Sequence, residues 1–134
     1  MHLVDTNVLS ELSKRRPSAA LIRWFESTEV IALSVVSVEE LAFGIARAPD
    51  ARRLKLTRWF GALLDSASAI LDVTSSIARA AGELRAAREG AGHRLAQADA
   101  MIAATALVHG LTLATRNVRD FTGCGVALFD PFDV

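Results

Sequence analysis

The chain has 134 residues, and its 15 basic and 15 acidic side chains cancel to a formal net charge of +0. With 51% hydrophobic and 22% charged residues, it has enough apolar material for one buried core and is too apolar to be intrinsically disordered. The neutral balance argues against a strongly basic nucleic-acid coat protein, and the single cysteine, Cys124, cannot form an internal disulfide.

No segment of the sequence is typical of a membrane span or a secretory leader. No apolar run approaches the roughly 20 residues that cross a bilayer, and the N-terminus has no basic segment followed by a long apolar stretch. The three histidines and the cysteine do not have the spacing of a zinc site. We therefore predict one cytoplasmic domain over residues 1–134, with no membrane partner.

Apolar periodicity predicts alternating strands and helices in the first half of the chain. In chain order they are a strand over 2–6, two short helices that separate near Pro17, a strand over 30–36, a helix from Ser37 to Ala48 and a basic amphipathic helix over 50–64. Ser37 and Glu40 have the spacing of a capping box, so Ser37 is the predicted N-cap of its helix.

The second half of the chain continues the alternation. In chain order its predicted elements are a strand over 69–73, a helix from Ser75 or Ser76 to about Glu89, a helix over 96–109 and two strands over 111–115 and 126–129. The helix over 96–109 is apolar nearly all round and is followed by Gly110, so we expect it to be largely buried. The order of elements predicts an α/β protein, in which a mainly parallel sheet of four to five strands has helices on both faces.

Acidic and amide side chains follow the predicted strands where the strands end. Asp5 ends the first strand, Glu40 lies in the first helical turn after the second, and Asp99 begins the buried helix. Asn117 and Asp120 follow the fourth strand. Ligands of parallel sheets bind beyond the carboxyl ends of the strands, so we expect these five side chains to meet at one edge.

Several carboxylates at one place repel one another unless a cation neutralises them, and oxygen ligands favour Mg²⁺ or Mn²⁺. The sequence therefore predicts a divalent-metal site held by Asp5, Asp99, Glu40 and Asp120, with Asn117 as a fifth catalytic candidate. Such a site can ionise a water for in-line attack on a phosphodiester. No histidine base is needed for that chemistry.

Each candidate also has an ordinary structural interpretation. Asp5 can cap the helix that follows it, the capping box accounts for Glu40, and the helix dipole favours Asp99 in a first turn. Asn117 and Asp120 are common turn formers. The convergence of all five at one edge favours the site over these separate explanations.

Polar neighbours of the acids allow two interpretations. The first interpretation is that they orient the acids or bind metal-bound water, and the second is that they cap helices or bond to the backbone. Both apply to Thr6, Asn7 and Thr115. Glu11 can pair with Lys14 or Arg15 on its own helix. Arg116 can clamp a phosphate or neutralise the acids.

Five segments of the chain carry a further signal: residues 3–11 (LVDTNVLSE), 37–41 (SVEEL), 98–105 (ADAMIAAT), 114–121 (ATRNVRDF) and 127–132 (ALFDPF). In that order they resemble the successive motifs of the PIN-domain nucleases, and more narrowly the VapC and FitB toxin ribonucleases. The resemblance spans the chain. It implies a PIN-like three-layer α/β/α sandwich and an endoribonuclease that uses Mg²⁺ or Mn²⁺ to cut RNA. It also implies a homodimer or a hetero-oligomer with a DNA-binding antitoxin of the VapB or FitA type.

The resemblance is incomplete at Asn117, where many members of the family have a fourth acid. Asp120, three residues on, would supply or share that role. Asn117 also supports a second hypothesis, a catalytically weak or inactive PIN-like module that only binds. A third hypothesis is an aspartate-dependent phosphatase with Asp5 as nucleophile, but such enzymes commonly have a second acid two residues on, where this chain has Asn7.

Aromatic and basic residues in the first half of the chain suggest contact surfaces. Four aromatic residues at helical spacing can stack on bases, fill the core or line a groove for an antitoxin helix: Trp24, Phe25, Trp59 and Phe60. Five cations face a single acid, Asp50, within their own stretch: Arg47, Arg52, Arg53, Lys55 and Arg58. A basic rim around an acidic centre predicts RNA binding that weakens steeply with salt.

Overall fold

The computed structural model describes residues 1–28 and 30–133, which form five strands and seven helices. In chain order the elements are β1 (His2–Val4), α1 (Thr6–Leu12), α2 (Ala19–Ser27), β2 (Ile31–Ser34), α3 (Val35–Ala46), α4 (Asp50–Ser66), β3 (Ala69–Leu71), α5 (Ser75–Gly90), α6 (Gln97–His109), β4 (Thr112–Ala114), α7 (Val118–Phe121) and β5 (Leu128–Phe129). Among the described residues, no helix is long and apolar enough to cross a membrane.

The five strands form one parallel sheet in the order β3-β2-β1-β4-β5. β1 is central, and its Leu3 pairs with Ala32 of β2 on one side and with Leu113 of β4 on the other. The strand order reverses between β1 and β4. The side chains that follow these two strands therefore lie at the switch point where open α/β sheets bind their ligands.

Helices cover both faces of the sheet because successive strand residues point to opposite sides. Leu3 belongs to a core that includes Ile102 of α6. The next residue, Val4, belongs to a second core that includes Leu21 of α2 and Leu63 of α4. The predicted three-layer α/β/α class with a mainly parallel sheet is confirmed, and the sheet has the larger of the two predicted strand numbers.

The predicted boundary between β2 and α3 is wrong by two to three residues. The helix begins at Val35, and the Ser34 hydroxyl oxygen accepts a hydrogen bond from the Val36 N–H at 3.0 Å, so Ser34 and not Ser37 is the N-cap. β-branched residues cost a helix only a few tenths of a kcal/mol. The partial burial of Val36 against the first core outweighs that cost.

Two further local predictions are corrected. Thr74 caps α5 by accepting a hydrogen bond from the Ile77 N–H at 3.2 Å, whereas Ser75 or Ser76 was expected to do so. The last two strands were predicted without a helix between them, but the short α7 occupies residues 118–121. A helix of four residues is too short to show an apolar periodicity, and the residues around Asn117 are typical of a turn.

The predicted helix over 96–109 is confirmed as α6, with its central turns buried and Leu107 and Val108 of its last turn exposed. Residues 102–106 of α6 are all buried, and four of the seven residues between Ala100 and Ala106 are alanine. Gly110 ends the helix with φ of 65°, a left-handed conformation that glycine adopts without a steric penalty. Small side chains let α6 lie close to α5 and to the sheet, which fixes the first turn of α6 at the edge of the switch point.

Candidate active site

Asp5 lies at the centre of the site, directly after β1. It is 3% exposed and caps α1, because its Oδ1 accepts a hydrogen bond from the Thr6 N–H at 2.8 Å. Its other oxygen, Oδ2, accepts a hydrogen bond from the Thr115 hydroxyl at 2.8 Å. The cap interpretation of Asp5 is therefore correct but incomplete, since helix capping uses one oxygen and the second faces a residue that follows β4.

Thr115 connects three parts of the site. Its buried hydroxyl donates to Asp5 and accepts a hydrogen bond from the Asn117 N–H at 3.0 Å, and the Asn7 amide lies 3.5 Å away. The Asn7 Oδ1 in turn accepts a hydrogen bond from the Arg116 N–H at 3.4 Å. These bonds tie the end of β4 to the start of α1, so the orientation of Asp5 is fixed from both sides of the switch point.

A second set of hydrogen bonds holds Glu40. The Thr6 hydroxyl donates to Glu40 Oε1 at 2.7 Å and lies 2.8 Å from the Ser37 hydroxyl. Because Thr6 has only one hydroxyl proton and gives it to the carboxylate, Ser37 is the donor in the second contact. The capping-box interpretation of Glu40 is wrong, since Ser37 lies inside the first turn of α3. The neighbouring Glu39 is exposed and takes no part in these hydrogen bonds.

Four of the predicted acids act on one another electrostatically. Burial raises the pKa of Asp5 from 3.8 to about 6, the hydrogen bonds from Thr115 and Thr6 oppose that rise, and the charges of Asp99 and Glu40 add to it. Burial also raises the pKa of Asp99, and the charges of Glu40 and Asp120 add to that rise. The fold thus brings Asp5, Glu40, Asp99 and Asp120 to one edge at a cost in electrostatic repulsion.

Asn117 and Asp120 lie on the outer side of this edge. Asn117 is the residue before α7, and its backbone N–H rather than its amide group bonds to Thr115. Asp120 lies within α7 and is exposed, yet its charge reaches Asp99. A catalytic role for Asn117 stays a prediction, as does the sharing of the fourth acidic position between Asn117 and Asp120.

Glu11 and Arg116 form a separate cluster beside the site. Glu11 is nearly buried and accepts hydrogen bonds from Lys14 at 2.9 Å and from the Ser18 N–H at 3.2 Å. The bond from Lys14 contributes most to a lowered pKa of Glu11. The Arg116 guanidinium lies 3.7 Å from Glu11 and over the Phe132 ring at 4.4 Å. Its nearest carboxylate is therefore Glu11, not the four acids.

The acids have the donor chemistry of a Mg²⁺ or Mn²⁺ site. In residues 1–28 and 30–133, no group of three or more His, Cys, Asp or Glu side chains is arranged to hold a metal ion. Asp99 is half-buried, and no hydrogen bond reaches its carboxylate from the described residues. A half-buried charge without a hydrogen-bond donor, within reach of the charges of Glu40 and Asp120, fits a divalent cation bound through oxygen ligands.

The structure decides the roles of the polar residues that support the acids. Thr6 and Thr115 were candidates for orienting the acids, and both do so. Ser37 was interpreted as a cap, so its contact with Thr6 was missed. The sequence did contain a signal for this contact. Ser34 also suits an N-cap, and a helix that begins after Ser34 includes Ser37 in its first turn.

An apolar groove lies away from the acids, between α1, α2 and α4. It has a volume of about 370 Å³ and is lined mainly by Leu12, Ile22, Phe25, Trp59 and Leu63. Trp24, Phe25, Trp59 and Phe60 are partly buried against the second core. The four aromatic residues thus support the fold, and two of them also form the groove wall.

The fold and the strand-end acids define a class of protein, and comparison with known families agrees with it. The family model described as PIN domain matches residues 2–122. This chain therefore belongs to the PIN domain family.

Relatives and solved structures resemble the chain along its whole length. The VapC ribonuclease Y4jK of Sinorhizobium fredii is 34% identical, with 99% of each chain covered, and toxin FitB of Neisseria gonorrhoeae is 34% identical, with 98% of this chain and 99% of FitB covered. The crystal structure of FitAcB from Neisseria gonorrhoeae superposes with a TM-score of 0.92 at 33% identity, covering 100% of both chains. A toxin-antitoxin complex from Klebsiella pneumoniae gives a TM-score of 0.75 at 29% identity, again covering 100% of both.

Proposed function

We propose that this protein is a Mg²⁺-dependent endoribonuclease and the toxin component of a type II toxin–antitoxin system. The observation that carries the proposal is the set of four electrostatically coupled acids at the carboxyl edge of the sheet. Full-length similarity to a VapC ribonuclease and to toxin FitB supports RNA as the substrate. Such a substrate and a single, buried free cysteine fit a protein of the cytoplasm.

In the proposed mechanism, Asp5 and Asp99 would hold the ion, and Glu40 would complete its coordination or orient water. When bound, Mg²⁺ would supply an activated water and stabilise the charge on the leaving oxygen. Thr115 and the Thr6 N–H hold both oxygens of Asp5 in place before any ion arrives. Thr6, supported by Ser37, fixes one oxygen of Glu40 in the same way, and no described residue donates a hydrogen bond to the other.

We expect RNA cleavage that requires a divalent cation. Purified protein should cut RNA with Mg²⁺ or Mn²⁺ and lose that activity in EDTA, because the repelling acids need a cation to work together. Gel electrophoresis of an end-labelled RNA measures the activity. Cleavage that persists in EDTA would contradict the metal requirement, and a protein that binds RNA without cutting it under any of these metals would favour the inactive binding module.

A matched pair of substitutions on α3 tests the role of Glu40. Glu40→Gln should lower the cleavage rate about tenfold or more, because it removes a charge held by Thr6 in the acidic cluster. Glu39→Gln alters the neighbouring exposed acid by the same chemistry and should leave the rate unchanged. Initial cleavage rates of the two variants at equal Mg²⁺ give the comparison. Equal rates would remove Glu40 from the proposed site.

The antitoxin is proposed to place an apolar helix in the groove between α1, α2 and α4. A solved relative is a toxin-antitoxin complex, and the groove has the apolar walls that an amphipathic helix needs. We expect the occupant to be a small protein encoded in a neighbouring reading frame. The absence of such a neighbouring reading frame would weaken the toxin assignment without affecting the nuclease assignment.

Filling the groove should weaken the antitoxin complex. Ala62 is exposed and lines the groove, so Ala62→Arg places a long charged side chain in it without altering the core, and we expect a loss of affinity of at least tenfold. Ala87→Arg makes the same change on an exposed face of α5 and serves as the control. Calorimetric titration with the neighbouring protein measures both. Unchanged affinity in Ala62→Arg would place the antitoxin elsewhere.

A further inference from the structure

A second groove, of different chemistry, begins at the acidic site. Two cavities of about 470 and 590 Å³ lie between the C-terminal end of α1 and the hairpin of α3 and α4. Both are lined by Ser13, Lys14, Arg52 and Leu56, so they form one continuous groove. Glu40 lines the cavity of about 470 Å³. The groove therefore leads from the surface to one of the four coupled acids.

The walls of this groove are strongly basic. Five cations line it: Lys14 and Arg15 after α1, Arg47 after α3, and Arg52 and Lys55 on α4. Glu40 is the one acid among the described residues that line it. Lys14 pairs with Glu11 and stays 61% exposed, and in the described part of the chain no carboxylate lies within 4.0 Å of the other four cations. We call this surface the basic groove.

The spacing of α4 divides its cations between two faces. Arg52 and Lys55 are three residues apart, about one helical turn, so they point into the basic groove together. Arg53 instead pairs with Asp50 at 2.8 Å and donates to the Ala48 carbonyl oxygen at 2.8 Å. Arg58 lines neither cavity. The basic stretch that looks uniform in the sequence is thus sorted by the helix into a groove-facing pair and residues that face elsewhere.

We propose that the basic groove holds the phosphodiester backbone of a single RNA strand on its way to the acids. This inference rests on the proposed nuclease function, because a strand that is cut at the acids has to approach them along some surface. Cations without carboxylate partners suit a chain with a negative charge at every nucleotide. The basic groove is a cleft between helices, which suits a single strand. Proteins contact an A-form duplex differently, across its wide and shallow minor groove.

Salt-dependent binding of RNA tests the basic groove. The probe is a short fluorescent single-stranded RNA of mixed sequence, with Asp5→Asn present in every protein so that the probe is not cut. Each phosphate contact on a single strand contributes about 0.7 to the slope of log affinity against log salt, so Arg52→Gln with Lys55→Gln should lower that slope by about 1.4. The same pair should weaken binding roughly tenfold at about 50 mM salt.

The control removes the same charge elsewhere. Arg58→Gln with Arg23→Gln deletes two exposed cations that do not line the basic groove, and it should leave the slope nearly unchanged. Equal effects of the two pairs would overturn the proposal, because binding would then follow total charge and not this surface. A groove pair that lowers affinity for the neighbouring antitoxin but not for RNA would also overturn it, by making the groove a protein site.

The proposed nuclease function and the basic groove can fail separately. The groove pair is also made in the otherwise unaltered protein, where cleavage at limiting RNA should fall in parallel with binding. Normal cleavage by that variant would refute the groove and leave the nuclease intact. Failure of the unaltered protein to cut RNA, together with a slope that still depends on the groove pair, would refute the nuclease and retain the groove as an RNA-binding surface.

Discussion

Asp5→Asn is expected to abolish RNA cleavage and, in the absence of metal, to stabilise the folded protein at neutral pH. Removing a residue that only supports a metal ligand costs a metal site up to about a hundredfold in activity. Asp5 is itself a predicted ligand, so the loss of cleavage should be larger than that. The gain in stability follows from burial. Asp5 is 3% exposed, and burial together with the charges of Asp99 and Glu40 raises its pKa to about 6.

The sign of the pH dependence follows from the direction of that shift. A carboxyl whose pKa rises on folding, from 3.8 to about 6, makes the folded state bind more protons than the unfolded state in this interval. Stability from this group is therefore fully present below pH 3.8 and is lost as the pH rises through about 6. Asparagine cannot ionise, so the variant avoids the loss.

The expected gain above pH 6 is roughly 1–3 kcal/mol, since a pKa shift of one unit corresponds to about 1.4 kcal/mol and asparagine replaces one hydrogen-bond acceptor by a donor. Urea unfolding in EDTA at pH 7.5 and at pH 4 measures it. The difference between variant and unaltered protein should shrink towards the lower pH.

Asp72→Asn, at an exposed acid that follows β3, is the control and should change stability by less than about 0.5 kcal/mol. A variant less stable than the unaltered protein at pH 7.5 would show that the hydrogen bonds to Asp5 outweigh its burial.

The general position of the site could be predicted because it depends on topology. Parallel strands bring Asp5, Glu40, Asp99 and Asp120 to one edge wherever the exact strand ends lie. An error of two residues at the end of β2 did not move Glu40 away from that edge. The fold class was predictable for the same reason, since it follows from the order of strands and helices.

The partner of each side chain could not be predicted, because partners depend on the register between distant segments. Ser34 and Ser37 both suit an N-cap, and only the packing of α3 against α1 decides that Ser34 caps while Ser37 supports Thr6. The basic stretch around α4 shows the same limit. The stretch from Arg47 to Arg58 contains five cations. Whether each of them faces the basic groove depends on the contact between α4 and the end of α1.

Thr115→Val is expected to impair both the stability of the protein and its use of metal. Valine has the shape of threonine without the hydroxyl, so the buried Asp5 Oδ2 loses its donor and the Asn117 N–H loses its acceptor. Leaving buried polar groups unsatisfied costs about 1–3 kcal/mol. The Mg²⁺ concentration for half-maximal cleavage should rise roughly 10- to 100-fold, because Thr115 orients a predicted ligand without itself touching the ion.

Thr105→Val is the matched control for this positioning role. Thr105 is also fully buried, but its hydroxyl donates at 2.7 Å to the Met101 carbonyl oxygen within the same helix, which the helix already engages through its backbone. Its replacement should cost about 1 kcal/mol, because one hydrogen bond is lost and its acceptor keeps a backbone partner, and it should leave the Mg²⁺ requirement unchanged. Urea unfolding in EDTA and cleavage rates over a Mg²⁺ series measure the two effects. A Thr115→Val protein that loses stability but keeps the normal Mg²⁺ requirement would reduce Thr115 to a structural residue. The proposed orientation of Asp5 therefore depends on the metal titration and not on the stability measurement.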